Sequence, residues 1–103
     1  MIRVNYLREG NHHRLSVKGH AGYATHGDDI VCAGVSAISY ALLGYLNHAG
    51  CDISEAQADS GNLTIDCEDK RAEPAFDMAM VGYLQISRKY PQCVDVYIAS
   101  NGG

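Results

Sequence analysis

Apolar and polar residues alternate in the first part of the chain. The apolar members of this pattern are Ile2, Val4, Tyr6, Leu15 and Val17. A period of two residues is typical of a strand with one buried face, so the pattern predicts two strands, the second over Arg14–Lys18. The residues between them read REGNHH, a turn composition, and the pair is therefore predicted to be a β-hairpin with His12 and His13 in its turn.

The period changes to three and four residues in two later segments. The first, Ile30–Ala49, is predicted to be a helix whose buried face comprises Val31, Val35, Ile38, Leu42, Tyr45 and Ala49. Its other faces carry many Ala, Gly and Ser residues, so a second helix or a second subunit can approach closely, and Gly50 is expected to end it. A second amphipathic helix is predicted to begin at Glu73-Pro74 and to stop before Pro91.

Three more strands complete the predicted fold. Cys51–Asp59 alternates weakly, a turn follows at residues 59–62, and Leu63–Cys67 alternates clearly, which indicates a second hairpin. Val94–Ile98 is the last predicted strand. The order β-β-α-β-β-α-β predicts a single α+β domain over residues 1–103, in which two helices cover a mostly antiparallel sheet.

Composition and charge narrow the class of partner. The formal net charge is −4, tryptophan is absent and there is no run of Lys or Arg, so no direct nucleic-acid binding is expected and a basic peptide or protein suits the charge better. The alternating, charged N-terminus does not resemble a signal peptide, and no apolar run approaches the roughly 20 residues that span a bilayer. The sequence therefore predicts a cytoplasmic protein that does not enter a membrane.

The spacing of cysteine and histidine residues does not suggest a metal site. The four cysteines are far apart without a C-x-x-C pair, and no His/Cys pair three or four residues apart supports a cluster of ligands. In a reducing compartment they are expected to be thiols. Small buried side chains are expected at Cys51, Cys67 and Cys93, and solvated histidines at His12, His13, His26 and His48.

The stretch from Gly19 to Ser36 differs from the rest because it combines reactive side chains with a change of secondary structure. His20 is predicted to follow the second strand, and Cys32 to lie in the first turn of a helix capped by Asp28 or Asp29. A helix N-terminus and a histidine that takes up the proton both favour the thiolate.

The segment between the two residues, Ala21–Asp28, has no regular pattern and contains Gly22 and Gly27. It is predicted to be an open loop that closes over a bound substrate. The tyrosines of the helices are predicted to belong to the core, and a pocket for an aromatic side chain is the alternative role for those near the site.

Two linked motifs in this stretch carry a family resemblance. Gly19-His20-Ala21 and Asp29-Ile30-Val31-Cys32-Ala33-Gly34, with Ser36 two positions beyond, resemble the motifs of the ribosomal-processing cysteine proteases (Prp). The resemblance implies a small homodimeric α+β cysteine endopeptidase without a cofactor. The family removes a short N-terminal extension from a large-subunit ribosomal protein precursor and cuts after an aromatic residue.

The resemblance also implies roles for individual residues. His20 and Cys32 correspond to the catalytic dyad. Supporting or substrate-binding roles are implied for Gly19, Ala21, Gly27, Asp29, Ala33 and Ser36. Asp29 is expected to cap the helix. A second role, orienting His20, stays open for the same carboxylate, which is not assigned to a catalytic triad.

Two other functions fit the same residues. The main alternative is a non-catalytic module in ribosome assembly that holds a peptide in the same groove, which predicts an unreactive Cys32. A thiol-based redox sensor is the weaker alternative, because it needs a resolving cysteine and none lies close to Cys32 in sequence.

Overall fold

The structure is a computed structural model that describes residues 1–20, 26–59 and 61–101, with the side chains of residues 26–29 and 101 outside the description. Its strands and helices follow the predicted order. They are β1 (Ile2–Glu9), β2 (His12–Lys18), α1 (His26–His48), β3 (Ile53–Asp59), β4 (Asn62–Glu68), a short 3-10 helix (Lys70–Ala72), α2 (Glu73–Lys89) and β5 (Val94–Asn101).

The five strands form one mixed sheet in the order β3-β4-β2-β1-β5. β1 is parallel to β5, whereas the β1–β2, β2–β4 and β3–β4 pairs are antiparallel. One face of the sheet is buried by α1 and α2, and its buried side chains include Val4, Leu15, Ile65 and Cys67. The prediction of an α+β domain with a mostly antiparallel sheet covered by two helices is confirmed.

The two helices approach each other at glycines. A β-carbon placed on Gly82 of α2 would lie 2.8 Å from Cδ1 of Ile38 in α1, and one placed on Gly34 would lie 3.3 Å from Cδ1 of Ile86. Carbon atoms pack at about 3.5 to 4.0 Å, so a side chain at either position would require the facing isoleucine side chain to shift. The small residues of α1 therefore admit a second helix, as predicted.

The buried face of α1 differs from the predicted one at several positions, since Ile38 and Ala49 are only partly buried. Tyr45 is exposed, and its neighbour Leu46 is buried instead. Ser39 is also buried on this face, which is possible because its hydroxyl donates to the Val35 carbonyl oxygen at 2.8 Å and accepts from the Tyr83 hydroxyl at 2.6 Å. Satisfying this hydroxyl allows the apolar stripe to continue from Val35 to Leu42 and Leu46.

The end of α1 confirms the stop at Gly50. This glycine has a φ of +72°, and its N–H donates to the carbonyl oxygen of Asn47. The N–H of Cys51 reaches the carbonyl oxygen of Leu46 at 3.0 Å. These two bonds form a Schellman motif, which favours glycine because of the positive φ.

The expectation that no apolar stretch approaches the length of a membrane span is wrong. Among the described residues, Ile30–His48 of α1 is a 19-residue stretch long and apolar enough to cross a membrane. Its Ala, Gly and Ser residues break up the visible apolar runs without adding charge. The same composition arises in a core helix, and α1 buries Val31, Val35, Leu42 and Leu46 within the domain.

The first hairpin is tighter than predicted. Its turn is formed by Gly10 and Asn11 alone, because Glu9 already pairs with His12. Gly10 has a φ of +60°, which suits the first central position of a two-residue hairpin turn. His12 and His13 therefore belong to β2, and the prediction that they lie in the turn is wrong.

His13 is fully buried rather than solvated. Its ring stacks on Phe76 at a centroid distance of 4.5 Å, and its Nδ1 shares a hydrogen bond of 2.6 Å with the Tyr6 hydroxyl. Its Nε2 is buried without a hydrogen-bond partner among the described residues. Burial, aided by the positive charge of Arg8, lowers the pKa of His13 below its ordinary value of 6.5.

The buried His13 predicts a loss of stability in mild acid. Because the native state binds the imidazole proton more weakly than the unfolded state, the free energy of unfolding should fall as the pH drops below about 6.5. The loss continues until the pH reaches the lower pKa of the native state. Urea unfolding at a series of pH values between 8 and 5 measures this slope.

The matched control is the double variant His13→Leu with Tyr6→Phe, which removes the imidazole without leaving the Tyr6 hydroxyl buried and unpaired. Its free energy of unfolding should change less over this pH range than that of the wild type. An equal slope in both proteins would contradict the assignment to His13.

Candidate active site

His20 lies just beyond the end of β2, and the preceding residue, Gly19, fixes the position of its backbone. Gly19 has a φ of +104°, and a β-carbon there would run into the carbonyl oxygen of Met1. Its N–H donates to the carbonyl oxygen of Gly61, in the turn between β3 and β4, at 2.9 Å. The backbone that leads into His20 is therefore fixed against two neighbouring segments, and both the φ and the close approach require glycine.

The imidazole of His20 lies over the backbone of Gly61. A β-carbon placed on Gly61 would be 2.6 Å from both Nε2 and Cε1 of His20. The side chain of His20 is otherwise exposed to solvent. The histidine thus lies at the surface, with one side of its ring against the β3–β4 turn.

Cys32 lies deeper in α1 than predicted. The helix begins at His26, so Cys32 is its seventh residue, in the second turn, and Asp28 and Asp29 lie inside the first turn rather than capping it. Acidic residues are favoured within the first turn as well as at the cap, so the sequence signal did not separate the two positions. The predicted cap at Asp28 or Asp29 is wrong.

This shift changes the expected chemistry of the thiol. The favourable effect of a helix N-terminus on a negative charge falls off within the first turn, so it acts less on Cys32 than predicted. Only the first four N–H groups of a helix lack an intrahelical partner. The N–H of Cys32, which lies beyond these four, is therefore not available as an oxyanion donor.

A single cleft of about 320 Å³ brings the two predicted catalytic residues together. It lies between α1 and the end of the sheet at which β2 finishes and β4 begins. Its lining residues are Ile2, Val17, His20, Cys32, Val35, Ser36, Ser39, Tyr40, Asp59, Gly61, Asn62 and Leu63. His20 is on the sheet side and Cys32 on the helix side of this catalytic cleft.

The helix side of the catalytic cleft is lined by Val35 and Ser39 and by a stripe of three further residues. Cys32, Ser36 and Tyr40 are spaced four residues apart and all line the cleft. With a rise of about 1.5 Å per residue, this stripe extends roughly 12 Å along α1. Such a length matches about three to four residues of an extended peptide, which rises about 3.3 Å per residue.

The charge of the cleft is low. Among the described lining residues, Asp59 at the end of β3 is the one Asp, Glu, Lys or Arg. Tyr83, which shares a hydrogen bond with the lining residue Ser39, is neutral as well, since burial raises its pKa to about 12. A bound peptide therefore meets a cleft of mixed apolar and polar lining that carries one carboxylate.

The environment of the cysteines separates Cys32 from the other three. Cys32 is partly exposed and lines the cleft, whereas Cys51, Cys67 and Cys93 are buried, as predicted. Burial raises the pKa of the Cys67 thiol to about 11, so Cys67 remains protonated at neutral pH. Burial and protonation make such a thiol a poor nucleophile.

The remaining predicted site residues have different outcomes. Ser36 lines the cleft and Gly19 directs the backbone toward it, whereas Ala33 is exposed on α1 and is not among the lining residues. Gly27 and Asp29 lie in the first turn of α1, with side chains outside the description. Ala21 lies outside the described residues. So does most of the predicted loop Ala21–Asp28, of which the last three residues are helical rather than loop.

Sequence reasoning missed the contributions of β3 and β4 to the cleft. Gly61 lies in the predicted turn at residues 59–62, and a turn by itself accounts for a glycine, so nothing in the sequence assigned Gly61 to the site. Asp59 and Asn62 flank it on the two strands. Within the described ranges, no group of three or more His, Cys, Asp or Glu side chains is arranged to hold a metal ion.

Comparison with known proteins agrees with this architecture. Residues 1–95 match the family model described as cysteine protease Prp. The ribosomal processing cysteine protease Prp of Mycoplasma pneumoniae is 28% identical over 85 residues, which cover 82% of this chain and 85% of that protein.

Solved structures share the fold over nearly the whole chain. The essential ribosomal processing protease Prp from S. aureus, in complex with a covalently linked product peptide, matches with a TM-score of 0.82 and 22% identity, covering 95% of this chain and 99% of that one. SMU.848 from Streptococcus mutans matches with a TM-score of 0.77 and 25% identity, covering 98% and 96%. On the match over residues 1–95, which contain the motifs around His20 and Cys32, the chain belongs to the cysteine protease Prp family.

Proposed function

We propose that this cysteine protease removes the N-terminal extension of a large-subunit ribosomal protein, with His20 and Cys32 as its catalytic dyad. The observation that carries the proposal is the shared cleft, which both residues line from opposite sides. The related proteins support the substrate class, because the M. pneumoniae and S. aureus relatives are ribosomal processing proteases. The S. aureus enzyme has also been solved in complex with a substrate peptide.

The proposed reaction follows ordinary thiol protease chemistry. His20 takes the proton of the Cys32 thiol, and the thiolate attacks the scissile carbonyl carbon. The carbon–nitrogen bond then breaks, His20 gives its proton to the leaving amine, and a thioester remains on Cys32. Water hydrolyses the thioester, and the thiol proton is restored. No cofactor takes part in this proposal.

The oxyanion of the tetrahedral intermediate needs hydrogen-bond donors near Cys32. The N–H groups of the first turn of α1 lack intrahelical partners and precede Cys32 by one turn. They replace the N–H of Cys32 in the proposed mechanism.

The shape of the catalytic cleft supports recognition of an extended peptide. The stripe Cys32, Ser36 and Tyr40 offers the side of a groove, and Tyr40 is 53% exposed at its far end, where its ring can pack against an apolar or aromatic substrate side chain. Asp59 favours a basic substrate residue at the opposite wall. The edge strand β3 ends at Asp59, and its unpaired edge offers main-chain hydrogen bonds to the peptide.

The dyad predicts a clean separation among the cysteine and histidine variants. Cys32→Ala and His20→Ala should each abolish cleavage of a peptide that carries the ribosomal protein extension, while circular dichroism and the thermal midpoint stay near wild type. Cys67→Ala, in the buried core, should retain cleavage and lower stability by about 1 to 3 kcal/mol. Full activity of purified Cys32→Ala would refute the proposed chemistry.

The exposure of the thiols predicts an order of alkylation. At pH 7 in the folded protein, iodoacetamide should label Cys32 first, because Cys51, Cys67 and Cys93 are buried. Mass spectrometry of partly labelled protein gives the order, and labelling in urea provides the control in which all four thiols are accessible. Equal labelling of all four in the folded state would favour a non-catalytic peptide-binding module.

We also propose that the protein is a homodimer, as the family resemblance implies. An apolar groove of about 690 Å³ between α1 and α2 supports this, with Tyr45 and Met78 at its surface and exposed by 53% and 73%. Such an exposed apolar surface is typical of an interface.

Replacing Met78 with glutamate should shift the dimer toward the monomer in light scattering after size-exclusion chromatography. Gln85→Glu, on an exposed position of α2 outside the groove, is the control and should leave the mass unchanged. A monomeric wild-type protein at all accessible concentrations would contradict the dimer. We place this function in the cytoplasm, which fits four cysteines held as thiols.

A further inference from the structure

We infer that Gly61 is a positioning residue for the catalytic histidine: the β3–β4 turn provides the surface on which the His20 imidazole rests. This inference builds on the proposed role of His20 as the base. It assigns a function to a residue that is distant in sequence from both catalytic motifs.

The first observation is the contact itself. A β-carbon on Gly61 would lie 2.6 Å from Nε2 and 2.6 Å from Cε1 of His20, and 3.4 Å from Cδ2. Since carbon atoms pack at about 3.5 to 4.0 Å, any side chain at position 61 must displace the ring by about 1 Å. The displaced atoms include Nε2, the ring nitrogen that is farthest from the backbone and best able to reach into the cleft.

The second observation is that the same turn holds the backbone before His20. The Gly61 carbonyl oxygen accepts the Gly19 N–H at 2.9 Å, so the residue that limits the ring also limits the chain on which the ring is carried. Gly19 is itself confined by its contact with Met1. The backbone that carries the histidine is therefore held against Met1, which precedes β1, and against the β3–β4 turn.

The third observation concerns what else limits the ring. Within the described part of the chain, no side-chain hydrogen bond of His20 accompanies these contacts. Packing against Gly61 is therefore a restraint on the imidazole that the structure shows directly. Because a displacement of about 1 Å in a catalytic group can reduce the rate about 100-fold, this restraint has catalytic consequences.

The test replaces Gly61 with alanine and uses Gly50 as the matched control. Both glycines have a φ of +72°, but a β-carbon on Gly50 meets nothing within 4 Å. Gly61→Ala and Gly50→Ala therefore introduce a similar backbone strain, and only the first disturbs His20. Asn tolerates this backbone conformation better, so Gly61→Asn and Gly50→Asn form a second pair in case the alanine variants do not fold.

The first readout is the steady-state kinetics of peptide cleavage. Gly61→Ala should lower kcat about 100-fold with a smaller change in KM, because the cleft remains while the base is misplaced. Gly50→Ala should retain the wild-type kcat. A Gly61→Ala protein that folds and keeps the wild-type kcat would overturn the inference.

The second readout is the rate of Cys32 alkylation as a function of pH, which needs no peptide. Gly61→Ala should change this profile in the same direction as His20→Ala does, and adding Gly61→Ala to His20→Ala should cause no further change. A further change in the double variant would show that Gly61 acts on Cys32 independently of His20 and would overturn the inference.

The same experiment distinguishes failure of the inference from failure of the proposed function. If His20→Ala leaves both cleavage and the alkylation profile unchanged, the proposed dyad is wrong. If His20→Ala abolishes cleavage and Gly61→Ala behaves like Gly50→Ala, the dyad stands and the role of Gly61 is wrong.

Discussion

The packing of α1 against the sheet is the constraint on which the geometry of the site depends. Val31, Val35, Leu42 and Leu46 are all at most 4% exposed, so the rotation of the helix about its axis is set by their burial. Successive residues of an α-helix are separated by about 100°, which places Cys32 at the border between the buried stripe and solvent. A rotation of one residue would bury the thiol in the core or turn it away from the cleft. The same burial that stabilises the fold therefore also sets the exposure of the Cys32 thiol.

The elements of the fold were predictable because their signals are local and repeated. The periods of two and of three to four residues located the five strands and both α-helices, and Gly50 and Glu73 marked helix ends that the structure confirms. His13 could not be predicted in the same way. Its burial depends on Phe76 and Tyr6, and Phe76 lies 63 positions later in the sequence. The local composition REGNHH instead indicated a solvated turn residue. The actual turn comprises only Gly10 and Asn11, so His13 lies in β2.

The proposed catalytic pair could be selected from the sequence because both residues belong to short motifs at the junction of a strand and a helix. What the motifs did not determine is the position of Cys32 relative to the start of α1, since Asp28 and Asp29 suit either a cap or a first turn. The far wall of the catalytic cleft was also outside the reach of local reasoning. It comes from β3 and β4, and the sheet order β3-β4-β2 brings their turn beside the end of β2.

The topology also explains why a glycine is needed at that turn. The register pairs Lys18 with Asn62, so the residue that follows β2 and the residue that precedes β4 must lie side by side. Gly19 and Gly61 occupy these two positions and are joined by a backbone hydrogen bond at 2.9 Å. Any side chain that leaves β2 here, including that of His20, has to pass over the β3–β4 turn to enter the cleft. A glycine at position 61 leaves space for that path, so the antiparallel register of the sheet, rather than a side-chain network, is what directs the histidine toward the helix that carries Cys32.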